Sequence, residues 1–161
     1  MAPPGRSAEE RYLARAIDLA TGNAATDGGP FGAVVVTADG RAFEGTNRVT
    51  ALHDPTAHAE VTAIRAACAG LETFDLEGAV VYASCEPCPM CLGAALWARV
   101  GRVVYAADRH DAAAAGFDDA AFYDYFTAPG GGSLMHLEHH ATERATAPFD
   151  AWRANAERTD Y

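Results

Sequence analysis

Ser84-Cys-Glu-Pro-Cys-Pro-Met-Cys-Leu-Gly93, taken with His58-Ala59-Glu60 upstream, decides the reading of this chain. Cysteines 85, 88 and 91 form a C-x-x-C-x-x-C run behind a strand-like segment, Ala79 to Ala83. Pro89 suits the first position of a helix, where its missing N–H costs nothing. Cys88 and Cys91 then stand one turn apart at the mouth of that helix. Unpaired N–H groups and the positive dipole end favour thiolate there. Two thiolates need further ligands to close a tetrahedral metal site, and His58 supplies one.

The spacing of His58 and Glu60 restricts the backbone. Residues two apart inside a helix do not face the same side. Both approach one metal only if the helix begins near His58, so its start is expected within a residue or two of Ala57. His58-x-Glu60 with Pro87-Cys88-x-x-Cys91 is the H-x-E…P-C-x-x-C pattern of zinc nucleobase deaminases, in which water takes the fourth position and the glutamate is an acid/base. A catalytic zinc site is the reading that follows. Three other uses of the cysteines fit less well. An iron–sulfur cluster lacks a suitable fourth thiolate, since Cys68 is the only other cysteine. A structural site closed by Cys85 leaves Glu60 unexplained. A redox pair lacks the preceding thioredoxin-like βαβ context.

At 161 residues the chain fits one domain, 1–161, with a useful core. No run of eighteen apolar residues appears, and the start lacks the apolar centre of a signal peptide. A cytoplasmic enzyme with reduced thiols and no membrane partner is expected. Net charge is −10, and all twelve basic residues are arginine, with no stripe among them. A grip on a phosphate backbone needs a basic footprint, so nucleic acid is not the expected partner.

Along the chain, Ser7 caps a helix carrying Leu13, Ala16, Ile17 and Ala20, which Gly22 stops. Thr26 to Pro30 reads as a flexible loop. Ala33 to Thr37 and Arg41 to Arg48 form a hairpin about Ala38-Asp-Gly40. A loop from Val49 to Pro55 leads into the His58 helix, which runs to about Cys68. Ala79 to Ala83 is a strand, Pro89 to Arg99 a helix, and Arg102 to Ala106 a strand, an alternation that implies parallel pairing. An alanine-rich turn follows, then Pro129 to Gly132 as loop, Ser133 to Glu138 as a last strand and Pro148 to Glu157 as a last helix. The architecture is α/β, a mixed five-stranded sheet with helices on both faces.

Asp54 to Ile64 and Ser84 to Ala94 resemble the cytidine-deaminase-like superfamily, a three-layer α-β-α fold. Trp97-Ala-Arg99, Asp111-Ala-Ala113, Ala115-Gly-Phe-Asp-Asp119, Pro148-Phe-Asp-Ala-Trp-Arg153 and Tyr161 extend the likeness over nearly the whole chain. Within the superfamily they resemble the small zinc-dependent guanine deaminases of bacteria. The resemblance implies one Zn2+ per subunit on His58, Cys88 and Cys91, with Glu60 shuttling a proton and water attacking C2 of guanine. It implies Asn47, Phe31, Ala59, Trp97 and Tyr161 as substrate-binding residues and Asp119 as a second catalytic carboxylate, binding the ring N–H edge or helping to shuttle a proton. It further implies a homodimer that exchanges a C-terminal segment, about 140–161.

Each assignment has a plainer counterpart. Glu60 could be a solvated helix-start glutamate, Asn47 a strand-end turn residue, Phe31 and Trp97 core packing, Asp119 a helix cap, and the tail a frayed terminus. Deamination of a related aminopurine, guanosine or an aminotriazine is chemically close. Deamination of adenosine in tRNA shares the zinc motifs, and a zinc scaffold without turnover would leave Glu60 idle.

Overall fold

A computed structural model describes residues 7–117, 119–128 and 134–161. The chain divides into two compact units between Tyr123 and Asp124.

In the first unit, helix α1 (Ala8–Ala24) opens on a capping box. Ser7 Oγ accepts from the Glu10 N–H, and the Ser7 N–H donates to Glu10 Oε2. Strands β1 (Gly32–Val36) and β2 (Ala42–Thr46) form the expected antiparallel hairpin, with Val34 opposite Glu44. The segment Val49–Leu52, expected as loop, coils into a single helical turn, α2. Helix α3 (Ala59–Leu71) begins where the His58–Glu60 spacing requires, with His58 as its N-cap. Strand β3 (Val80–Cys85), helix α4 (Pro89–Trp97) and strand β4 (Arg102–Ala107) follow.

Among the described residues the sheet has four strands in the order β2-β1-β3-β4. β1 pairs antiparallel with β3, and β3 pairs parallel with β4 through the α4 crossover. The fifth strand expected over 133–138 does not form in its described part, 134–138, and Ser133 lies outside the described residues. Leu134, Met135 and Leu137 are all exposed. Leu134 and Met135 lie in a bend and Leu137 in irregular chain, and among the described residues no strand pairs with them.

The strands alternate between two faces. Ala33, Val35, Val81 and Val103 pack with Ala59, Ala63, Ile64, Ala95 and Ala98 of the α3–α4 layer. Val34, Val36, Tyr82 and Val104 pack with Tyr12, Leu13, Ala16 and Leu19 of α1. The two layers approach the hairpin closely at two glycines. A Cβ on Gly45 would stand 2.3 Å from Ala59 O and 2.5 Å from the Ala63 nitrogen. A Cβ on Gly32 would stand 2.4 Å from Ala16 O on the opposite face.

The alanine-rich stretch, expected as a turn, holds two helices. α5 (Arg109–Ala114) starts on an Asp108–Asp111 capping box, and α6 (Ala120–Thr127) follows a turn at Gly116. The Pro129–Gly132 loop lies outside the described residues. In the second unit α7 (Ala147–Ala154) forms with Pro148 in its first turn, shorter than expected. Every residue from 134 to 161 is exposed. Among the described residues no helix is long and apolar enough to cross a membrane.

Glycine has opposite value at two positions here. Gly45→Ala drives a methyl into the α3 backbone and should destabilise the protein by about 1–3 kcal/mol. Gly22→Ala, inside α1 with nothing within 4 Å of the added carbon, should stabilise it by about 0.5–1 kcal/mol. Urea unfolding of both variants checks the pair, and an unchanged midpoint for Gly45→Ala would contradict the close approach.

Candidate active site

Two helices begin at the same place, and their first turns build the site. His58 is the N-cap of α3 and Cys88 the N-cap of α4, both with extended backbone. Extended caps turn both side chains back across the helix ends, while Glu60 and Cys91 enter from the first turns behind them. Cys88 Sγ lies 3.6 Å from His58 Nδ1, Cys91 Sγ lies 3.5 Å from it, and the sulfurs are 3.6 Å apart. Three ligands of one tetrahedral zinc, at Zn–S of about 2.3 Å and Zn–N of about 2.0–2.1 Å, lie about 3.5–3.8 Å from one another. The donor set therefore fits the ion, and this is the cluster of metal-ligating type among the described residues.

The charges respond to this crowding. At 3.6 Å the two thiols do not ionise independently. The hydrogen bond shared with Cys91, with His58 beside it, lowers Cys88. The same hydrogen bond raises Cys91, as do burial and Glu60. His58 is raised by its bond to Cys88. Glu60 is buried, and that burial raises its carboxyl above the ordinary range. Its Oε2 lies 3.4 Å from Cys91 Sγ.

Cys85 is not part of the cluster. Its thiol donates to Asp108 O at 3.5 Å, and burial pushes it up to about 11. It stands outside the three ligand atoms that gather, so the closed four-ligand alternative does not form here. Cys68 packs against the α3 side of the core.

A cavity of about 260 Å³ opens on this cluster. Phe31, Asn47, Glu60, Glu86, Phe117 and Asp119 are among its lining residues. Ligand pockets for drug-sized molecules run about 300–1,000 Å³, so this one suits a single small ring system. Phe31 and Phe117 meet edge to face, 4.9 Å between centroids at 82°. Asn47 is buried, and its Oδ1 accepts from the Val49 N–H at 3.2 Å. That bond orients the amide and leaves its NH2 as the group on offer. Among the described residues, Asp119 Oδ1 is buried with no hydrogen-bond partner. Burial, and the charge of Cys88 next, raise the Asp119 carboxyl.

The remaining expected residues fall elsewhere. Ala59 is wholly buried in the core and is not among the residues that line the cavity. Trp97 is 65% exposed and does not line the cavity. Six residues of helix separate it from Cys91, a rotation that leaves the two about 120° apart around the axis. Tyr161 stacks edge to face on Trp152 in the second unit, 6.2 Å between centroids.

Asn23 is a residue that sequence reasoning missed. It is buried, and its single amide nitrogen donates to Gly29 O at 2.8 Å and to Asn47 O at 2.9 Å. Thr26 Oγ1 donates to Asn23 O, and the Thr50 hydroxyl to Asp27 O. The 26–30 loop is thus pinned rather than loose. An asparagine at a helix end beside glycines was the available signal, and it reads equally well as a plain helix stop.

Residues 6–107 match the family described as the cytidine and deoxycytidylate deaminase zinc-binding region. The chain belongs to that family. It is 48% identical to the guanine deaminase of Bacillus subtilis over 94% of this chain and 98% of the relative. The crystal structure of that enzyme superposes with a TM-score of 0.89 over the same shares of the two chains. The tRNA-specific adenosine deaminase of Haemophilus influenzae is 36% identical over 73% of this chain and 68% of its own. The fold, the zinc-binding character and the class of hydrolytic deaminase follow from these likenesses.

Removing a ligand and removing the carboxylate should separate cleanly. Cys91→Ala should purify without zinc, whereas Glu60→Gln should retain about one zinc per chain. Atomic absorption on the two proteins reads the difference, and zinc loss in Glu60→Gln would make Glu60 a ligand.

Proposed function

We propose that the protein hydrolyses the 2-amino group of guanine, giving xanthine and ammonia. One observation carries the reading. A metal-ligating triad, a buried glutamate beside it and a second carboxylate with an unpartnered oxygen share one small cavity. The 48% identity to a guanine deaminase over nearly the full length supports the choice of base.

A zinc ion held by His58, Cys88 and Cys91 would supply a Lewis acid that makes water a nucleophile at neutral pH. Glu60 takes the proton from that water at its carboxylate, passes it to a ring nitrogen, and then delivers one to the departing amine. Burial suits it to hold a proton between steps, because it disfavours the charged form. Asn47 offers its NH2 to an acceptor on the base, and Phe31 offers a ring face or edge beside it. Asp119 accepts from the ring N–H edge through the oxygen that lacks a partner. Ala59 contributes main chain at the start of α3.

The protein acts as a homodimer on this reading, with its C-terminal tail closing the site of a second copy. Exposure of Phe149, Trp152 and Tyr161 in the single chain supports that part. Metal-ligating thiols fit a reducing, cytoplasmic compartment.

Ammonia release from zinc-loaded protein tests the substrate, with guanine, guanosine, cytosine, adenine and adenosine-containing RNA in parallel. Guanine should be the best substrate; release from RNA alone would shift the reading to tRNA, and release from none to a scaffold. Glu60→Gln should abolish turnover, and Asp119→Asn should lower kcat on guanine by at least about 100-fold with zinc unchanged. Deleting residues 155–161 should leave fold and zinc intact but cripple kcat/KM. Mixing the deleted chain with Glu60→Gln should restore part of the activity, since the intact tail then closes the site that keeps Glu60. Full activity of the truncated protein rejects the lid, and no rescue confines it to its own chain.

A further inference from the structure

Arg109 opens α5 with its guanidinium on Glu86. Nη2 donates to Oε1 at 2.6 Å, Nε to Oε2 at 3.1 Å, and the Arg109 backbone N–H to Oε2 at 3.0 Å. The Arg109 Cζ stands 3.6 Å over the centre of the Tyr123 ring. The Tyr123 hydroxyl in turn donates to the Pro87 carbonyl. Glu86 is itself fixed, since its N–H donates to Ala107 O at 2.8 Å.

The segment from Arg109 to Tyr123 is therefore tied at both ends to two neighbouring residues, Glu86 and Pro87. The next residue is Cys88. Between the two ties lie Phe117 and Asp119, which line the cavity opposite that cysteine's loop. A carboxylate acting on a bound base must be held within a fraction of an ångström to be useful. Asp119 sits at the start of α6, and its Oδ1 has no hydrogen bond of its own to fix it among the described residues. The backbone that carries Asp119 therefore bears directly on where that oxygen stands.

We propose that Arg109 and Tyr123 are positioning residues, and that the Glu86–Arg109–Tyr123 bracket sets the Asp119 carboxylate against the Cys88 side of the cavity. The inference rests on the role given to Asp119 above. Arginine is needed because the fork engages both carboxylate oxygens while its flat face stacks on the tyrosine. Lysine keeps the charge but loses the fork and the stack. The bracket also occupies both oxygens of Glu86, so a carboxylate that lines the cavity does not compete with Glu60 for protons.

A double-mutant cycle tests this on zinc-loaded protein. Arg109→Lys and Tyr123→Phe are made alone and with Asp119→Asn. Each is measured for kcat and KM on guanine, xanthine affinity by calorimetry, zinc content and melting temperature. Arg109→Lys should lower kcat about 10–100-fold, the usual effect of losing a supporting partner, and should weaken xanthine binding, with zinc retained. Tyr123→Phe should act in the same direction more mildly. In the Asp119→Asn background neither should change kcat or xanthine affinity by more than about twofold, because coupled residues are not additive. An equal loss in both backgrounds, or none in either, overturns the proposal. Loss of zinc from both variants also overturns it, because the bracket would then serve the ligand loop. Normal kcat in Asp119→Asn alone rejects the role of Asp119 and this inference with it, and that single variant shows which of the two has failed.

Discussion

The site depends on how closely two helices can approach one hairpin. Gly45 faces α3 and Gly32 faces α1, and in both cases helix backbone occupies the place of a missing side chain. Gly32 pairs with Thr46 and Ala33 with Gly45, so the two contacts are one residue apart on the hairpin. The hairpin is therefore gripped from both faces at one end. Phe31 and Asn47 extend from that end into the cavity, and the first turn of α3, with His58 and Glu60, comes down beside them. A bulkier residue at either glycine would lift a helix and move these groups apart. Interiors packed to crystal density pass such a shift on rather than absorb it.

Helix ends then supply the electrostatics. The first turns of α3 and α4 bring unpaired N–H groups and two positive dipole ends to one point. Four groups that bear or share negative charge, Glu60, Cys88, Cys91 and Asp119, lie near it. Burial opposes charge on Glu60, Cys91 and Asp119, while Cys88 is held as thiolate by its neighbours. A divalent cation resolves that conflict, since binding replaces protons on ligands already gathered. Preassembly is visible in the triangle of 3.5–3.6 Å edges.

The legible parts of this arrangement were those with chemistry that allows few alternatives. Two cysteines a turn apart behind a proline have few uses, and the two-residue gap between His58 and Glu60 dictated the helix start. The hairpin and the crossover were readable from runs of valine broken by turn residues. Alanine carries little periodic signal, and so α5 and α6 were concealed in a stretch that read as a turn. Asp108 and Asp111, which close a capping box, were the overlooked start signal. Met135 to Glu138 alternates apolar and polar as a strand would, but a pattern four residues long does not supply a neighbouring strand to pair with. Trp97 shows that nearness in sequence to a ligand is no guide once helix rotation is counted. Asn23 was unreadable for a different reason: its partners are two backbone carbonyls, Gly29 and Asn47, and main-chain acceptors leave no mark in a sequence.

Asp119 shows the opposite relation between stability and site. A buried carboxylate oxygen without a partner costs about 1–3 kcal/mol in an ordinary core. Folded proteins leave few such atoms, and each calls for an explanation. Here the surrounding groups make the cost harder to avoid. Glu86 is itself an acceptor, filled by Arg109, and the Cys88 charge repels rather than supports. Among the described residues none donates a hydrogen bond to that oxygen. On the proposed reading that open oxygen is met by a donor from outside the chain. A purine presenting a ring N–H supplies one, so that binding relieves a penalty already present in the fold. Selectivity of this kind is steep, because a ring lacking that N–H leaves the carboxylate as unsatisfied as before.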